Sequence, residues 1–227
     1  MRLASGALIK STADFNGDGK ADLVSTSAAY YSSGVTVQYG NGNGTLQAPR
    51  TYLTASTPVD ETVGDFNGDG KADLAVAQSN YSVGVLLGNG DGTFAAPVSY
   101  SVGTTVLDIS KADFNGHTIT DLVERTGAGF AVELGNGDGT FTPASLVTAG
   151  TGNNLLAADF NGDGVTDVAV AGAGNIAVSM NDSTPLIQDP VESVRFLEGK
   201  APAEPLDSLA RQEPRPPETG HSPPDRV

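Results

Sequence analysis

The chain of 227 residues contains no cysteine and no tryptophan. The absence of cysteine excludes disulfide bonds, thiolate zinc sites and thiol catalysis. Basic residues are also scarce: 12 Lys and Arg stand against 27 Asp and Glu, which gives a formal net charge of -15. Because so acidic a chain lacks the charge that attracts nucleic acid or an anionic membrane, we expect neither as a partner.

Long apolar runs are missing as well. No stretch approaches the roughly 18 residues of a membrane-spanning helix, and the first ten residues lack the apolar segment of a signal peptide. We therefore expect no membrane span and no export signal in the sequence as given. The only histidines are His117 and His221. No Ser/His/Asp or two-carboxylate arrangement can be assembled outside the acidic loops described below, which predicts that the chain is not an enzyme.

Glycine is abundant, and most of it lies in a repeat. The sequence Asp-Phe-Asn-Gly occurs four times, at intervals of 51, 48 and 46 residues, and begins at Asp14, Asp65, Asp113 and Asp159. This period is that of one four-stranded unit. Two apolar stretches follow each copy, and in the first three units a Gly-Asn-Gly-Asx-Gly-Thr turn comes next, at residues 40–45, 88–93 and 135–140. Short β-rich runs between such turns predict antiparallel strands.

The strands of a unit differ in their predicted burial. The first apolar stretch is nearly continuous in three units, which is typical of a strand covered on both faces. A proline follows each turn, at Pro49, Pro97 and Pro143, and predicts an edge strand because proline cannot donate to a ladder. This gradient predicts the blades of a β-propeller. The apolar stretches are residues 23–26 and 35–39, 74–77 and 83–87, 122–123 and 130–134, and 168–171 and 176–180.

The repeat pattern stops after Asp182. The fourth unit has neither the glycine-rich turn nor the proline-marked strand. We therefore expect an all-β fold over residues 1–183, with three complete four-stranded blades and a partial fourth blade. Residues 184–227 are predicted to be a proline-rich, disordered tail, since residues 198–227 combine proline and charge with almost no apolar side chains. Residues 191–197 could form a short strand or a helical turn, and the composition does not decide between them.

The four Asp-Phe-Asn-Gly sequences open acidic loops of nine residues. Carboxylates concentrated in this way repel one another unless a cation lies among them. Oxygen donors at loop positions 1, 3, 5 and 9, with the backbone carbonyl of position 7, suit Ca²⁺. The predicted ligands are Asp14, Asn16, Asp18, Asp22 and the Lys20 carbonyl in the first loop; Asp65, Asn67, Asp69, Asp73 and the Lys71 carbonyl in the second; and Asp159, Asn161, Asp163, Asp167 and the Val165 carbonyl in the fourth.

The third loop departs from this pattern. His117 replaces the position-5 Asp and Thr118 replaces the position-6 Gly, which leaves Asp113, Asn115 and Asp121 as donors. We expect this loop to bind Ca²⁺ weakly or not at all. The alternative for all four loops is that Asp-Asn-Gly clusters are simply good turns. An EF-hand is excluded as the site type, because the loops lack both its Glu at position 12 and helical flanks.

Two further features concern the strands. Glu124, Arg125 and Glu133 interrupt the third unit, either as a cross-strand charge pair or as part of a site. The phenylalanine after the first Asp of each loop is expected to anchor that loop to the core. These residues are Phe15, Phe66, Phe114 and Phe160.

The motifs DFNGDGxxDL and LGNGDGTF resemble the FG-GAP or VCBS repeats of integrin α-subunit β-propellers and of many bacterial surface proteins. The resemblance covers about residues 7–183. It implies that the Ca²⁺ loop joins the first and second strands of a blade, on the face opposite the bound ligand. The ligand would then meet the loops between second and third strands and between blades. These loops include Tyr30, Tyr31, Asn80 and Tyr81, and residues 57–60, 103–105 and 150–154.

The resemblance also implies a function. It is that of a Ca²⁺-binding module of an extracellular or cell-surface protein that acts in adhesion or in recognition of a protein or glycan. A carbohydrate-binding accessory module of a larger secreted enzyme, or a ligand-free structural spacer, are the alternatives. Propellers of this family have about seven blades. The resemblance therefore implies that self-association or further blades of a longer chain complete the ring.

Overall fold

The computed structural model describes residues 7–27, 34–148, 152, 154–172, 175–181 and 196–198. Every helix or strand within these ranges is a β-strand, so none of the described segments forms a helix that could cross a membrane. The predicted all-β class is confirmed. The strands are β1 Ala7–Ala13, β2 Asp22–Ser27, β3 Gly34–Gln38, β4 Arg50–Leu53, β5 Pro58–Gly64, β6 Asp73–Gln78, β7 Ser82–Leu86, β8 Val98–Ser101, β9 Val106–Ala112, β10 Asp121–Thr126, β11 Gly129–Glu133, β12 Ser145–Thr148, β13 Asn154–Ala158, β14 Asp167–Gly172, β15 Asn175–Asn181 and β16 Phe196–Glu198.

These strands form four antiparallel sheets of four, and within each sheet a strand pairs with the next one along the chain. We refer to the sheets as blades 1 to 4, made of β1–β4, β5–β8, β9–β12 and β13–β16. The first strands of consecutive blades contact one another: β1 contacts β5, β5 contacts β9, and β9 contacts β13. The four sequence repeats are therefore four blades that meet along their first strands, as propeller blades do.

Burial changes across the first three blades as predicted. In blade 2 both middle strands are buried along their whole length. The outer strands β4, β8 and β12 are mostly exposed. Strand β4 begins directly after Pro49 and β8 directly after Pro97. Since an outer strand pairs on one side only, the missing N–H of a proline at its start removes little of the ladder.

The apolar core lies between the blades rather than within them. Three clusters of buried side chains each draw on two consecutive blades. Burying one Val, Leu or Phe side chain contributes about 1.5 to 3 kcal/mol, so the contacts between blades account for most of the apolar stabilisation. The clusters include Phe15, Val37 and Leu74 between blades 1 and 2; Phe66, Val85 and Leu122 between blades 2 and 3; and Phe114, Phe130 and Val168 between blades 3 and 4.

The fourth blade is complete, which corrects the prediction of a partial blade. Strand β16 pairs with residues 179–181 of β15, although the sequence assigned its residues to the tail. Its pattern was missed because it has only three residues and no preceding glycine-rich turn or proline marks it. Of the open alternatives for residues 191–197, the strand is found at its C-terminal end. The remainder of the predicted tail lies outside the described residues.

Blade 4 ends the array with an apolar face. Phe160 is 42% exposed, whereas its counterparts in the other three acidic loops are at most 2% exposed because the next blade covers them. Leu156 and Ile176 on this face are 59% and 73% exposed. The face of blade 4 that points away from blade 3 therefore has the composition of an interface between blades, without a blade against it among the described residues.

Candidate functional site

The four acidic loops join the first and second strands of each blade, in agreement with the position that the resemblance implied. In an antiparallel sheet the connection between third and fourth strands lies at the same end as the connection between first and second strands. The glycine-rich turns therefore lie beside the acidic loops. The loops between second and third strands lie at the opposite end of the blade, which separates the predicted Ca²⁺ ligands from the predicted contact residues.

Within the loops, the side chains at positions 1 and 3 bond to the backbone of their own loop. Oδ1 of Asp14 and Oδ1 of Asn16 both accept a hydrogen bond from the Asp18 amide, each at 3.1 Å. In the second loop, Asp65 and Asn67 share the Asp69 amide in the same way, at 3.2 and 3.0 Å. The two side-chain oxygens therefore converge on one point of the loop, as in other Asx turns.

In the first, second and fourth loops, position 5 carries a carboxylate, and the residue at position 7 differs between these loops. Lys20 Nζ lies 3.0 Å from Oδ2 of Asp18, and Lys71 Nζ lies 3.3 Å from Oδ2 of Asp69. Bonding to the Lys20 side chain lowers the pKa of Asp18, and the Lys71 amide lowers that of Asp69. These pairs are exposed and contribute little stability. The fourth loop has Val165 in place of the lysine, so its carboxylates lack this counter-charge.

Position 9 carries a buried carboxylate with a structural role that the sequence analysis missed. In blade 1, Oδ2 of Asp22 accepts from the Phe15 amide at 2.9 Å, and Oδ1 accepts from the Gly40 amide at 2.8 Å. The same two bonds recur in every blade, and all four carboxylates are fully buried. We refer to this arrangement as the aspartate clamp. The other clamps join Asp73 to Phe66 and Gly88, Asp121 to Phe114 and Gly135, and Asp167 to Phe160 and Asn181.

The clamp ties the acidic loop to the end of the third strand. Burial raises the pKa of Asp73 and of Asp121, and the amide bonds oppose this effect. The chain approaches so closely here that a Cβ on Gly88 would lie 2.2 Å from the Ala72 carbonyl oxygen. The glycine that opens this turn is therefore required by the close approach of the Ala72 carbonyl. A sequence signal existed, since the same spacing of seven residues separates Phe from Asp in all four units.

The acidic loops also connect consecutive blades. The Phe15 carbonyl accepts from the Gly92 amide of blade 2 at 2.9 Å, and the Phe66 carbonyl accepts from the Gly139 amide of blade 3 at 3.0 Å. Blade 4 has no such turn among its described residues, and there the side-chain amide of Asn181 donates to the Phe114 carbonyl. The predicted anchoring role of the phenylalanines is thus confirmed in the first three loops, where backbone and side chain both hold the next blade.

The third loop keeps the same backbone bonds despite its two substitutions. The His117 amide donates to Asp113 and Asn115, and the Thr118 amide donates to Oδ2 of Asp113 at 2.7 Å. Thr118 adopts φ 65°, in the left-handed region that glycine occupies at this position elsewhere. The substitutions therefore change the donor set of this loop without changing its path.

The donor set of the first, second and fourth loops fits Ca²⁺ in kind, because positions 1, 3 and 5 supply only oxygen atoms. Each carboxylate oxygen has two lone pairs, so an oxygen that accepts one amide, such as Oδ2 of Asp65, keeps one for a cation. In the part of the chain that the structure describes, no three Asp, Glu or His side chains stand close enough to form a metal site. The clamp holds the position-9 carboxylate inside the blade, bonded to two amides, which makes the outer positions the better donors.

At the opposite end of blade 2, Tyr81 is an exposed aromatic side chain on a constrained loop. It is 53% exposed and adopts φ 66°, a conformation that costs about 1 to 2 kcal/mol for a residue with a Cβ. Its carbonyl accepts from the Val102 amide at 2.9 Å, and Oδ1 of neighbouring Asn80 accepts from the Ser82 hydroxyl at 2.7 Å. The loop therefore presents the Tyr81 side chain to solvent from a hydrogen-bonded backbone.

Several of the other predicted contact residues lie outside the described residues, and Asp60 is buried. Tyr30 and Tyr31 lie outside the described residues, as do most of residues 150–154. Asp60, at the end of the predicted range 57–60, is buried, and its Oδ2 accepts from the Ile109 amide of blade 3 at 3.0 Å. Asp60 thus joins two blades and is not a surface contact.

A family model for the FG-GAP-like repeat matches the chain three times in overlapping registers, over residues 14–76, 65–124 and 113–170. The chain belongs to the FG-GAP-like repeat family. Each match begins at an acidic loop and ends in the second strand of the following blade, so each FG-GAP match includes the clamp of one blade and the acidic loop of the next. No curated protein sequence matches the chain.

Two solved structures share the fold of these FG-GAP repeats. One is a lectin of Agrocybe aegerita, described as recognising non-reducing terminal N-acetylglucosamine; it is 27% identical, with a TM-score of 0.55 over 75% of this chain and 48% of the lectin. The other is BBS1N in complex with ARL6DN; it is 14% identical, with a TM-score of 0.52 over 75% of this chain and 52% of that one. This chain spans about half the length of each.

Proposed function

We propose that the chain is a Ca²⁺-binding FG-GAP module that recognises glycans at the end of the blades opposite the acidic loops. The observation that carries the recognition part is the 27% identity to a lectin over 75% of the chain. Since that lectin is described as recognising terminal N-acetylglucosamine, glycans ending in this sugar are the proposed ligand class. No catalytic role is part of the proposal.

Tyr81 is the residue proposed to contact the glycan. An aromatic ring combines an apolar face, suited to the C–H face of a sugar ring, with a hydroxyl that can bond to a sugar hydroxyl. The left-handed backbone and the bond to Val102 hold the main chain of this loop in place, so little backbone entropy is lost on binding. Asn80 stands beside it as a source of polar contacts.

Ca²⁺ is proposed to bind at positions 1, 3 and 5 of the first, second and fourth acidic loops. The bound cation would supply positive charge among carboxylates that otherwise repel. Its effect would reach the neighbouring blade, since the Phe15 carbonyl of the first loop accepts a bond from Gly92. Sites of the extracellular type have dissociation constants of about 10⁻⁴ to 10⁻³ M. We accordingly propose an extracellular or cell-surface location, where such sites would be filled.

Calorimetric titration with chitobiose, a disaccharide of N-acetylglucosamine, tests the proposal, with lactose as the control sugar and Ca²⁺ present throughout. We expect the wild type to bind chitobiose and not lactose. Tyr81→Gly should abolish binding without harming the fold, because glycine adopts φ 66° freely. Tyr81→Phe should retain most of the affinity because it keeps the ring.

Two outcomes would contradict the proposal. Absence of binding to either sugar would favour a protein ligand or a structural spacer. Unchanged binding by Tyr81→Gly would place the contact elsewhere on the module.

A further inference from the structure

Blade 3 carries two glutamates on the face that packs against blade 2. Glu124 on β10 and Glu133 on β11 are both 0% exposed. Glu124 lies opposite Ala131, and Glu133 lies opposite Leu122. The two glutamates are therefore diagonal neighbours on one face of the sheet, within reach of each other. Ala131 and Leu122 belong to the core shared with blade 2, so the glutamates lie in an apolar interface.

The carboxylates of this pair have no hydrogen-bond partner. Among the described residues, none of the four oxygens of Glu124 and Glu133 accepts a bond. Arg125 does not bind either glutamate. It lies opposite Phe130, whose ring packs towards blade 4. Its guanidinium donates a hydrogen bond to the Gly152 carbonyl at 2.9 Å. Arg125 instead forms a cross-strand charge pair with Asp108 of β9, whose Oδ2 lies 3.9 Å from its Nε. The interpretation as a cross-strand charge pair therefore holds for Arg125 and is wrong for the two glutamates.

The fold does not require acids at these two positions. The register places Ser25 and Gln38 at the equivalent positions of blade 1, and Val76 and Leu86 at those of blade 2. In blade 4 the equivalents are Val170 and Ser179. None of these side chains ionises near neutral pH, so the glutamate pair is a feature of one interface only.

The charged and titratable groups packed around the pair do not neutralise it. On β9, Lys111 lies opposite Leu122, and desolvation lowers the pKa of its amine; no ion pair joins it to either glutamate within the described structure. On β5, Asp60 bonds to the Ile109 amide, opposite Glu124, and Glu61 follows it. Tyr100 is contributed by β8, and its pKa is raised by burial. Strands β6 and β7 contribute only Asp73, which its clamp holds at the loop end.

Two carboxylates this close in a region of low dielectric cannot both be ionised without a large cost. Burial raises the pKa of Glu133 to about 7. Burial, followed by the neighbouring charge of Glu133, raises the pKa of Glu124. A proton on Glu133 removes the charge that raises the pKa of Glu124, so the pair titrates as a unit.

We propose that Glu124 and Glu133 form a proton-binding site that makes the contact between blades 2 and 3 depend on pH. The site binds protons when the two blades pack together, and it releases them when the interface opens and water reaches the carboxylates. Packing of blade 2 on blade 3 is then favoured in mildly acidic solution and weakened above neutral pH.

The direction of the pH dependence follows from proton linkage. An unfolded Glu has a pKa of about 4.3, so between about pH 4.3 and pH 7 the folded state holds protons that the unfolded state releases. Stability is therefore fully present below that window and falls as the pH rises through it. The folding equilibrium constant changes by at most about tenfold per pH unit for each such carboxyl. Exposed acids such as Asp18, whose pKa is lowered, act in the opposite direction and at lower pH.

Urea unfolding of the full chain from about pH 5 to about pH 8, at constant Ca²⁺ and ionic strength, tests the proposal. We expect the folding constant of the wild type to fall by at least about tenfold over this range. The double variant Glu124→Gln with Glu133→Gln should lose most of this fall. It should also fold, because blade 1 buries Gln38 at the position of Glu133. Asp91→Asn, at an exposed acid, is the matched control and should keep the dependence.

Equal pH slopes in the wild type and the double variant would overturn the proposal. So would millimolar Ca²⁺ that restores stability at pH 8 in the wild type but not in the double variant, because the pair would then hold a metal ion. Carboxyl carbon NMR of the wild type gives a readout that needs no variant: Glu133 should titrate with a pKa of about 7 and Glu124 with a pKa above the usual range of a glutamate, and ordinary titration of every glutamate would exclude the site.

Discussion

Thr118 holds a backbone conformation that its own side chain disfavours. Its φ is 65°, while the glycines at the same position of the other loops, Gly19, Gly70 and Gly164, lie at 76°, 79° and 87°. The left-handed conformation costs about 1 to 2 kcal/mol for a residue with a Cβ. The greater freedom of unfolded glycine offsets about 0.5 to 1 kcal/mol of this.

We therefore expect Thr118→Gly to raise the free energy of unfolding by about 0.5 to 1 kcal/mol. Urea unfolding with a chelator present measures the effect without a contribution from Ca²⁺. The reverse exchange in a regular loop, Gly70→Thr, should lower stability by a similar amount. A loss of stability in Thr118→Gly would show that the threonine makes a contact worth more than its strain.

Single residues also mark where sequence reasoning succeeded and where it failed. The substitution at Thr118 was visible in the repeat, and its strained φ follows from the glycine that it replaces. The interblade bond of Asp60 was not visible, because its partner Ile109 is 49 residues away and outside any motif. Local patterns predict local geometry, whereas contacts between blades depend on how the sheets pack.

At the scale of the acidic loop, two aspartates that looked alike in sequence have different surroundings. Asp65 at position 1 lies at the surface and bonds to amides of its own loop. Asp73 at position 9 is fully buried in the clamp. Spacing alone could not separate them, because both are eligible oxygen donors and only the burial of the second strand distinguishes them.

Asp65→Ala and Asp73→Ala should consequently lower the stability of the fold in different ways. Asp65→Ala should remove mainly the Ca²⁺-dependent stability of one site, about 0.4 to 1.4 kcal/mol at millimolar Ca²⁺. Asp73→Ala should lose about 2 to 4 kcal/mol with or without Ca²⁺, because two buried amides lose their acceptor. Thermal melts in Ca²⁺ and in chelator measure both effects.

Asp113→Ala is the control for this comparison, because its loop already lacks the position-5 carboxylate; it should change the Ca²⁺ dependence little. Superimposable melts of the wild type with Ca²⁺ and with chelator would argue against metal binding by the loops. If Asp73→Ala lowered stability only in the presence of Ca²⁺, the carboxylate at position 9 would be a Ca²⁺ ligand.

The strands themselves were largely predictable. The second and third strands of each blade coincide with the apolar stretches. These strands are apolar because successive side chains pack alternately against the two neighbouring blades. Strand β16 was not predictable, because three residues pairing at the edge of β15 need no periodic pattern. Its presence supplies the fourth strand that the predicted partial blade lacked, because it pairs with residues 179–181.

At the scale of the whole molecule, the open face of blade 4 predicts association. Phe160, Leu156 and Ile176 occupy positions on this face, and Ile176 is the most exposed of them. Leaving such a face in water is unfavourable, and repeat arrays normally cover it with another unit. Since β16 already covers residues 179–181 of the edge strand, the face rather than the edge should drive contact with a second copy or with further blades.

Light scattering in the presence of Ca²⁺ should therefore detect dimers or larger species of the wild type. Ile176→Lys should shift the population towards monomer, because it places a charge in the centre of the contact. Leu53→Lys is the matched control: Leu53 is 71% exposed, close to the 73% of Ile176, but lies on the outer strand of blade 1. A wild type that is monomeric at high concentration, or equal effects of the two variants, would contradict association through blade 4.

The connections at the two ends of the blades differ in how much their lengths vary between blades. The connection that forms the acidic loop has eight residues in every blade, at 14–21, 65–72, 113–120 and 159–166. The connection from second to third strand varies instead, from residues 28–33 in blade 1 to residues 79–81, 127–128 and 173–174 in the others. The clamp and the interblade bonds thus accompany an acidic loop of constant length. Duplication of a repeat therefore copies an acidic loop of constant length together with a variable connection between the second and third strands. The variable connection can change in sequence and length, while the acidic loop keeps its contacts with the next blade.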